Sequence, residues 1–175
     1  MKEADPWYDS EYMKATGRVS VAPLLAEIRK SRRVLGRIEA YHDEYLRKMV
    51  ESTAPSRENR IVIAEILVNY YTCLETIFRR VSQFFENERS TERRHYDLLD
   101  NMTVDVEGVR PNLLSERSYA ALREIMRFRR YKRYHLEFDY DWDKLQALSR
   151  TLESVRPQVR EDLDQFEARL RQTQK

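Results

Sequence analysis

One stretch, RFRRYKRYHLEFDYDWDKL at positions 127 to 145, gathers most of the side chains in this sequence that could do chemistry. Arg127, Arg129, Arg130, Lys132 and Arg133 are too dense to pair completely with neighbouring acids, and Tyr131, Tyr134 and Phe138 interleave π faces on which bases could stack. That combination predicts a local RNA-binding patch. His135 stands beside the arginines rather than in an apolar stripe, and the acids Glu137, Asp139, Asp141 and Asp143 follow as a cluster. An Arg and a His side by side suit RNA cleavage: the imidazole takes or gives a proton as the ribose 2′-hydroxyl attacks, and the guanidinium stabilises charge on the phosphate. Such a reaction needs no metal. The competing reading is a solvated cationic face near a helix C-terminus, where each cation gains about 0.3 to 1 kcal/mol from the macrodipole.

Other chemistries find little support. The histidines at 42, 95 and 135 and the single Cys73 show none of the local zinc spacings, and there is no HExxH, P-loop or GxGxxG. The acids at 137 to 143 lack the glycine and distal Glu of a calcium loop, and no Ser or Cys sits in a nucleophile setting. No metal and no cofactor are therefore expected. Thirty-two Lys and Arg against thirty Asp and Glu leave a formal charge of +2, so any nucleic-acid site must be local. One cysteine excludes an intramolecular disulfide, and MKEADPWYDSEYMK lacks the apolar stretch of a secretory signal, which predicts a cytoplasmic location. No run approaches the roughly 18 to 20 consecutive apolar residues of a membrane span, so no membrane role is expected.

The elements that must position these residues are helices. Three glycines and five prolines are too few for many turns, while good helix formers abound. Residues 1 to 19 read as a loosely attached arm, and 20 to 175 as a single helical domain. A first helix begins near Ser20 with Pro23 in its first turn, and its stripe is Leu24, Ile28, Leu35, Ile38, Tyr45 and Met49. His42 lies on that stripe, where packing at the core edge is the commoner fate than proton transfer. After the break at STAPSREN, Ile61, Ala64, Val68, Tyr71, Leu74, Phe78, Val81 and Phe85 mark a second, antiparallel helix. Its Tyr70, Tyr71 and Glu75 are expected to satisfy each other or a neighbouring Arg.

Beyond the charged run 87 to 94, His95, Leu98, Leu99 and Met102 suggest a short helix that lids one end. Gly108 and Pro111 stop it, and Ser115 is a suitable N-cap for the helix that carries the arginines. Asp141 should cap the last helix, whose stripe runs Leu145, Leu148, Leu152, Val155, Val159, Leu163, Phe166 and Leu170, with a kink near Leu152 to Glu153 caused by Pro157. The expected fold class is all-α, an antiparallel four-helix bundle with one additional short helix.

Three segments in this order, YYTCLETIFRRV, then RHYDLLDNM with GVRPNLLSE, then LREIMRFRRYKRYHLEFDYDWDKL, resemble the HepT-like ribonuclease toxins of the HEPN superfamily. The likeness covers most of residues 20 to 170. It implies a homodimeric, metal-independent endoribonuclease of a toxin–antitoxin pair, partnered by a minimal nucleotidyltransferase antitoxin. The family's signature is an Arg followed, after four to six residues, by a His at the end of the third helix, facing the dimer cleft. Here Arg129 and Arg130 both meet that spacing to His135. The resemblance implies these three as catalytic, with Arg127, Lys132, Arg133, Tyr131 and Tyr134 as RNA-binding residues. Laid without gaps on the family's motif, FRRYKRY puts Tyr134 at the histidine place and His135 one later. The family's tyrosine two places beyond the histidine, where the partner attaches AMP, is here Leu136 or Glu137, so Tyr134 and Tyr140 become the candidates for modification. The alternative is a non-catalytic HEPN-type bundle that binds RNA or a nucleotidyltransferase. A third reading is a helical scaffold whose exposed stripe docks a partner helix.

Overall fold

The computed structural model describes residues 20–50, 55–86, 95–135 and 137–172, the side chains of 50, 86 and 95–97 excepted. The arm expected at 1 to 19, the charged run 87 to 94 and the side chain of His95 lie outside the described residues. Five helices make up the fold: α1 (Ala22–Val50), α2 (Arg57–Glu86), α3 (His95–Asn101), α4 (Glu116–Tyr134) and α5 (Trp142–Gln172). The all-α class follows, with no strand among the described residues beyond one isolated bridge, Val106 to Arg110.

Side-chain pairings fix the topology. Tyr45 bonds Asn59 and Cys73 reaches Ser31, so α1 and α2 run antiparallel. Glu75 and Glu65 on α2 pair with Arg129 and Lys132 on α4, again antiparallel. Arg32 meets Glu167 at 2.7 Å, while His42 meets Ser149 at 2.6 Å, so α5 runs against α1. The four long helices therefore alternate in direction, and α3 packs across α2 and α4 as a lid.

The predicted stripes supply much of the core. Leu24, Ile28 and Leu35 of α1, Ala64, Tyr71, Leu74, Phe78 and Val81 of α2, and Leu145, Leu152, Val159, Leu163 and Phe166 of α5 are buried together, joined by Leu67, which the α2 stripe did not include. In α2, one 18-residue window is apolar enough to cross a membrane by composition, but 56% of that window is buried inside the bundle, as befits a core helix. Helix starts follow the capping chemistry read from the sequence. Ser115 Oγ accepts from the Ser118 N–H at 3.3 Å and donates to the buried carboxylate of Asp162 at 2.9 Å. Asp141 Oδ1 accepts from the amides of Asp143 and Lys144. The last helix continues through Pro157 to Gln172, the proline leaving the Glu153 carbonyl without its usual donor.

Between α3 and α4, Gly108 at φ 73° turns the chain where an L side chain would be strained, and the buried Arg110 ties the carbonyls of Asn101 and Val104. That loop sets the starting point of α4 and hence the height of its arginines along the bundle.

Candidate nucleic-acid interface

Helical arithmetic at about 100° per residue divides α4 into two faces. Leu122, Ile125 and Met126 are buried, and Arg129, four places after Ile125 and three after Met126, shares their stripe. Its guanidinium is consequently turned inward. Nη2 lies 3.0 Å from Glu75 Oε2, Nη1 donates to Oε1 at 3.3 Å, and the charged carbon stands 5.8 Å from the Tyr71 ring centroid. Glu75 is almost fully buried, and its second cation, Arg79, is at 3.6 Å. The Tyr71 hydroxyl is pushed up from the ordinary phenol range, first by burial and then by the charge of Glu75.

The opposite face carries Arg127, Arg130 and Tyr134 within a sector of about 60°. Arg127 pairs with Glu124 at 3.0 Å on the exposed surface, a contact that solvent screens. Arg130 is half-buried, Arg133 is exposed, and Tyr134 is 78% exposed. Lys132 is drawn to one side by Glu65. The predicted patch thus splits: Arg127, Arg130, Arg133 and Tyr134 line the outer surface, whereas Arg129 and Lys132 hold α4 to α2.

His135 occupies the C-cap of α4, its amide bonded to the Tyr131 carbonyl at 3.0 Å. Its φ of −93° and ψ of 100° take the chain out of the helix, so its ring is not bound to the helical period. The ring stacks on Tyr131, with centroids 4.8 Å apart and planes at 22°, and leans on Tyr140 at 5.9 Å. Phe128 completes the cluster, 6.3 Å from Tyr131 and 6.2 Å from Tyr140. His135 Nε2 is buried there with no hydrogen-bond partner among the described residues. The following loop is anchored to the start of α2, where Arg57 bonds the Phe138 carbonyl at 3.4 Å and Arg60 reaches the Tyr140 carbonyl at 3.5 Å. Tyr131 and Phe138 each expose about half of their surface beside the arginines, and Tyr140 is 4% exposed. Of the two tyrosines singled out for modification, Tyr134 is the accessible one.

His42 has the packed position that its stripe suggests. It is fully buried, with Nε2 at 2.6 Å from Ser149 Oγ, and its pKa is lowered first by burial and then by the charge of Arg156. Two acidic side chains near it, Asp43 and Glu153, were not singled out by sequence spacing, because they come from different helices. Of the three α2 residues expected to satisfy one another or a neighbouring Arg, Glu75 is met by Arg129, whereas the Tyr70 hydroxyl is buried without a hydrogen-bond partner among the described residues.

Comparison with known proteins gives one finding. A family described as HepT-like protein matches residues 62–170, which takes in most of α2, all of α3 and α4, and nearly all of α5. No curated protein and no solved structure matches. With more than half of its length matched, the chain belongs to the HepT-like protein family.

Proposed function

We propose that this chain is a HepT-like endoribonuclease, cytoplasmic and metal-independent in its chemistry, acting at the cleft of a homodimer and held in check by a nucleotidyltransferase partner. The observation that carries the reading is the outer face of α4: within the matched region it lines up Arg127, Arg130 and Tyr134 and ends at His135, with Arg133 exposed beside it. Arg130 is the arginine assigned to the scissile phosphate, since it stands on the outer face with Arg127 and Tyr134 whereas Arg129 is turned inward to Glu75. His135 moves the proton during attack by the 2′-hydroxyl. Arg127 and Arg133 attract the RNA backbone, and Tyr131 and Tyr134 offer ring faces to unstacked bases. Tyr134, exposed beside the arginines, is the residue assigned to AMP attachment, which would set a negative phosphate against the cations that meet RNA.

A second reading, an RNA-binding bundle without turnover, is favoured by one observation. The His135 ring is held between Tyr131 and Tyr140 with Nε2 buried, and Tyr134 takes the motif's histidine place in the ungapped register. Cleavage of a labelled RNA panel by wild type, His135→Ala and Arg130→Ala, with and without EDTA, separates the two. Turnover that survives EDTA and disappears in both variants is the expected result. Inactivity of all three proteins, together with salt-dependent RNA binding that is lost when Arg127, Arg130 and Arg133 are replaced, would establish the second reading instead.

A further inference from the structure

We propose that His42, Asp43 and Glu153 form a binding site for one Zn2+ ion that staples α1 to α5. Their ligand atoms, one from each residue, lie within 4.8 Å of one another. His42 and Asp43 come from the C-terminal half of α1, and Glu153 from the N-terminal half of α5.

The imidazole carries the argument. His42 is fully buried, its Nε2 is engaged with Ser149 Oγ at 2.6 Å, and its Nδ1 is buried with no hydrogen-bond partner among the described residues. Nδ1 points toward Asp43, whose Oδ1 is 3.7 Å away, too far for a hydrogen bond. With Nε2–H donating to the serine, Nδ1 presents a lone pair to two carboxylates, an electrostatically poor arrangement unless a cation lies between them. A metal ion resolves the conflict. A metal-bound histidine commonly donates its other ring N–H to an oxygen, and Ser149 is placed to accept it.

One imidazole nitrogen with two carboxylate oxygens is a donor set that zinc accepts, at distances of about 2.0 to 2.2 Å. Closing the ligands around the ion requires the side chains of Asp43 and Glu153 to rotate inward; both are exposed and able to do so. The opposing influence is Arg156, which holds Asp43 Oδ1 at 2.8 Å and also reaches the Glu39 carbonyl. Asp43 Oδ2 remains for the ion. The mechanical value of the site follows from the packing: α1 joins α5 largely through side-chain bridges, Arg32 with Asp164 and Glu167, Arg160 with Glu39, and Arg156 with Asp43. A metal would add a further link at the end near Ser149.

The full chain, stripped with EDTA and dialysed, is titrated with zinc sulfate in a calorimeter, alongside Asp43→Asn and Glu153→Gln. Both substitutions fall on exposed side chains, and circular dichroism checks that the variants remain helical. The expected result is one ion per wild-type chain, a zinc-dependent rise in melting temperature, and affinity weakened by about tenfold or more in each variant. No stoichiometric binding by the wild type, or an affinity within about threefold of wild type in either variant, overturns the proposal.

Discussion

Replacing Arg129 by Ala tests whether the inward arginine of α4 belongs to the fold, apart from the outer face proposed to meet RNA. In the folded protein its side chain is 19% exposed and meets a Glu75 side chain that is only 5% exposed. Removing one partner of a buried pair strands the other charge, at about 3–5 kcal/mol; because Arg79 stays at 3.6 Å and Arg129 is not fully desolvated, the expected loss is nearer 2–3 kcal/mol. For a chain of this size that corresponds to a fall of roughly 5–10 °C in melting temperature. Arg130→Ala, one residue away on the outer face, should cost less than Arg129→Ala, because no almost fully buried carboxylate like Glu75 is stranded on that face. Urea unfolding followed by far-UV circular dichroism measures both. The reasoning also makes a sign prediction: adding Glu75→Gln to Arg129→Ala should recover stability, because the stranded charge is then gone. An Arg129→Ala protein within about 0.5 kcal/mol of wild type, or a double variant weaker still, would refute the claim that this arginine belongs to the fold.

Cys73 offers a pH test. Burial pushes its thiol up to about 11, and Sγ donates to the Ser31 carbonyl at 3.4 Å. At pH 8 the native thiolate fraction is then about one part in a thousand, against roughly a quarter for a free thiol, so a disulfide reagent should label folded protein over ~100-fold more slowly than unfolded protein. The native rate should climb about tenfold per pH unit from 7 to 10, while the unfolded rate levels off above about pH 9; equal profiles would contradict the assignment. The cap of α4 gives a second test. Ser115→Ala should cost about 1–2 kcal/mol in urea unfolding, and Ser115→Asp, ordinarily a good cap, should do no better because it sets a second carboxylate against buried Asp162.

Local chemistry made the scaffold legible. Apolar stripes at spacings of three and four residues identified the long helices, and the Ser115 and Asp141 caps lie where short polar side chains precede those stripes. The inward turn of Arg129 was also written in the sequence, since it stands four places after Ile125 and three after Met126, but an arginine cluster read as a block hides which member shares the core stripe. Its partner Glu75 sits four places after buried Tyr71 and three before buried Phe78, the same signal on α2. Other features depend on tertiary arrangement. No spacing rule brings Glu153 to His42, because the contact exists only once α5 folds back along α1. The ring cluster around His135 likewise needs the loop through Tyr140 to be tied down by Arg57 and Arg60 on a distant helix.

The end of α4 explains how a one-residue difference in motif register can matter so much. Tyr134 is the last residue of the helix, and the helical period directs it to the outer face, where it is 78% exposed. His135 is the first residue beyond it, and the extended ψ of 100° releases it from that period, so its ring falls back on Tyr131, four residues earlier. A histidine at the preceding position would be aimed outward by the backbone alone. Here its direction is set instead by ring stacking, and such contacts contribute only about 0.5–1.5 kcal/mol each, small enough for an RNA or a second chain to outweigh. Access to the His135 imidazole is therefore governed by Tyr131 and Tyr140, and under the proposed endoribonuclease reading this aromatic cluster, more than the Arg-to-His spacing, is what would decide between turnover and binding.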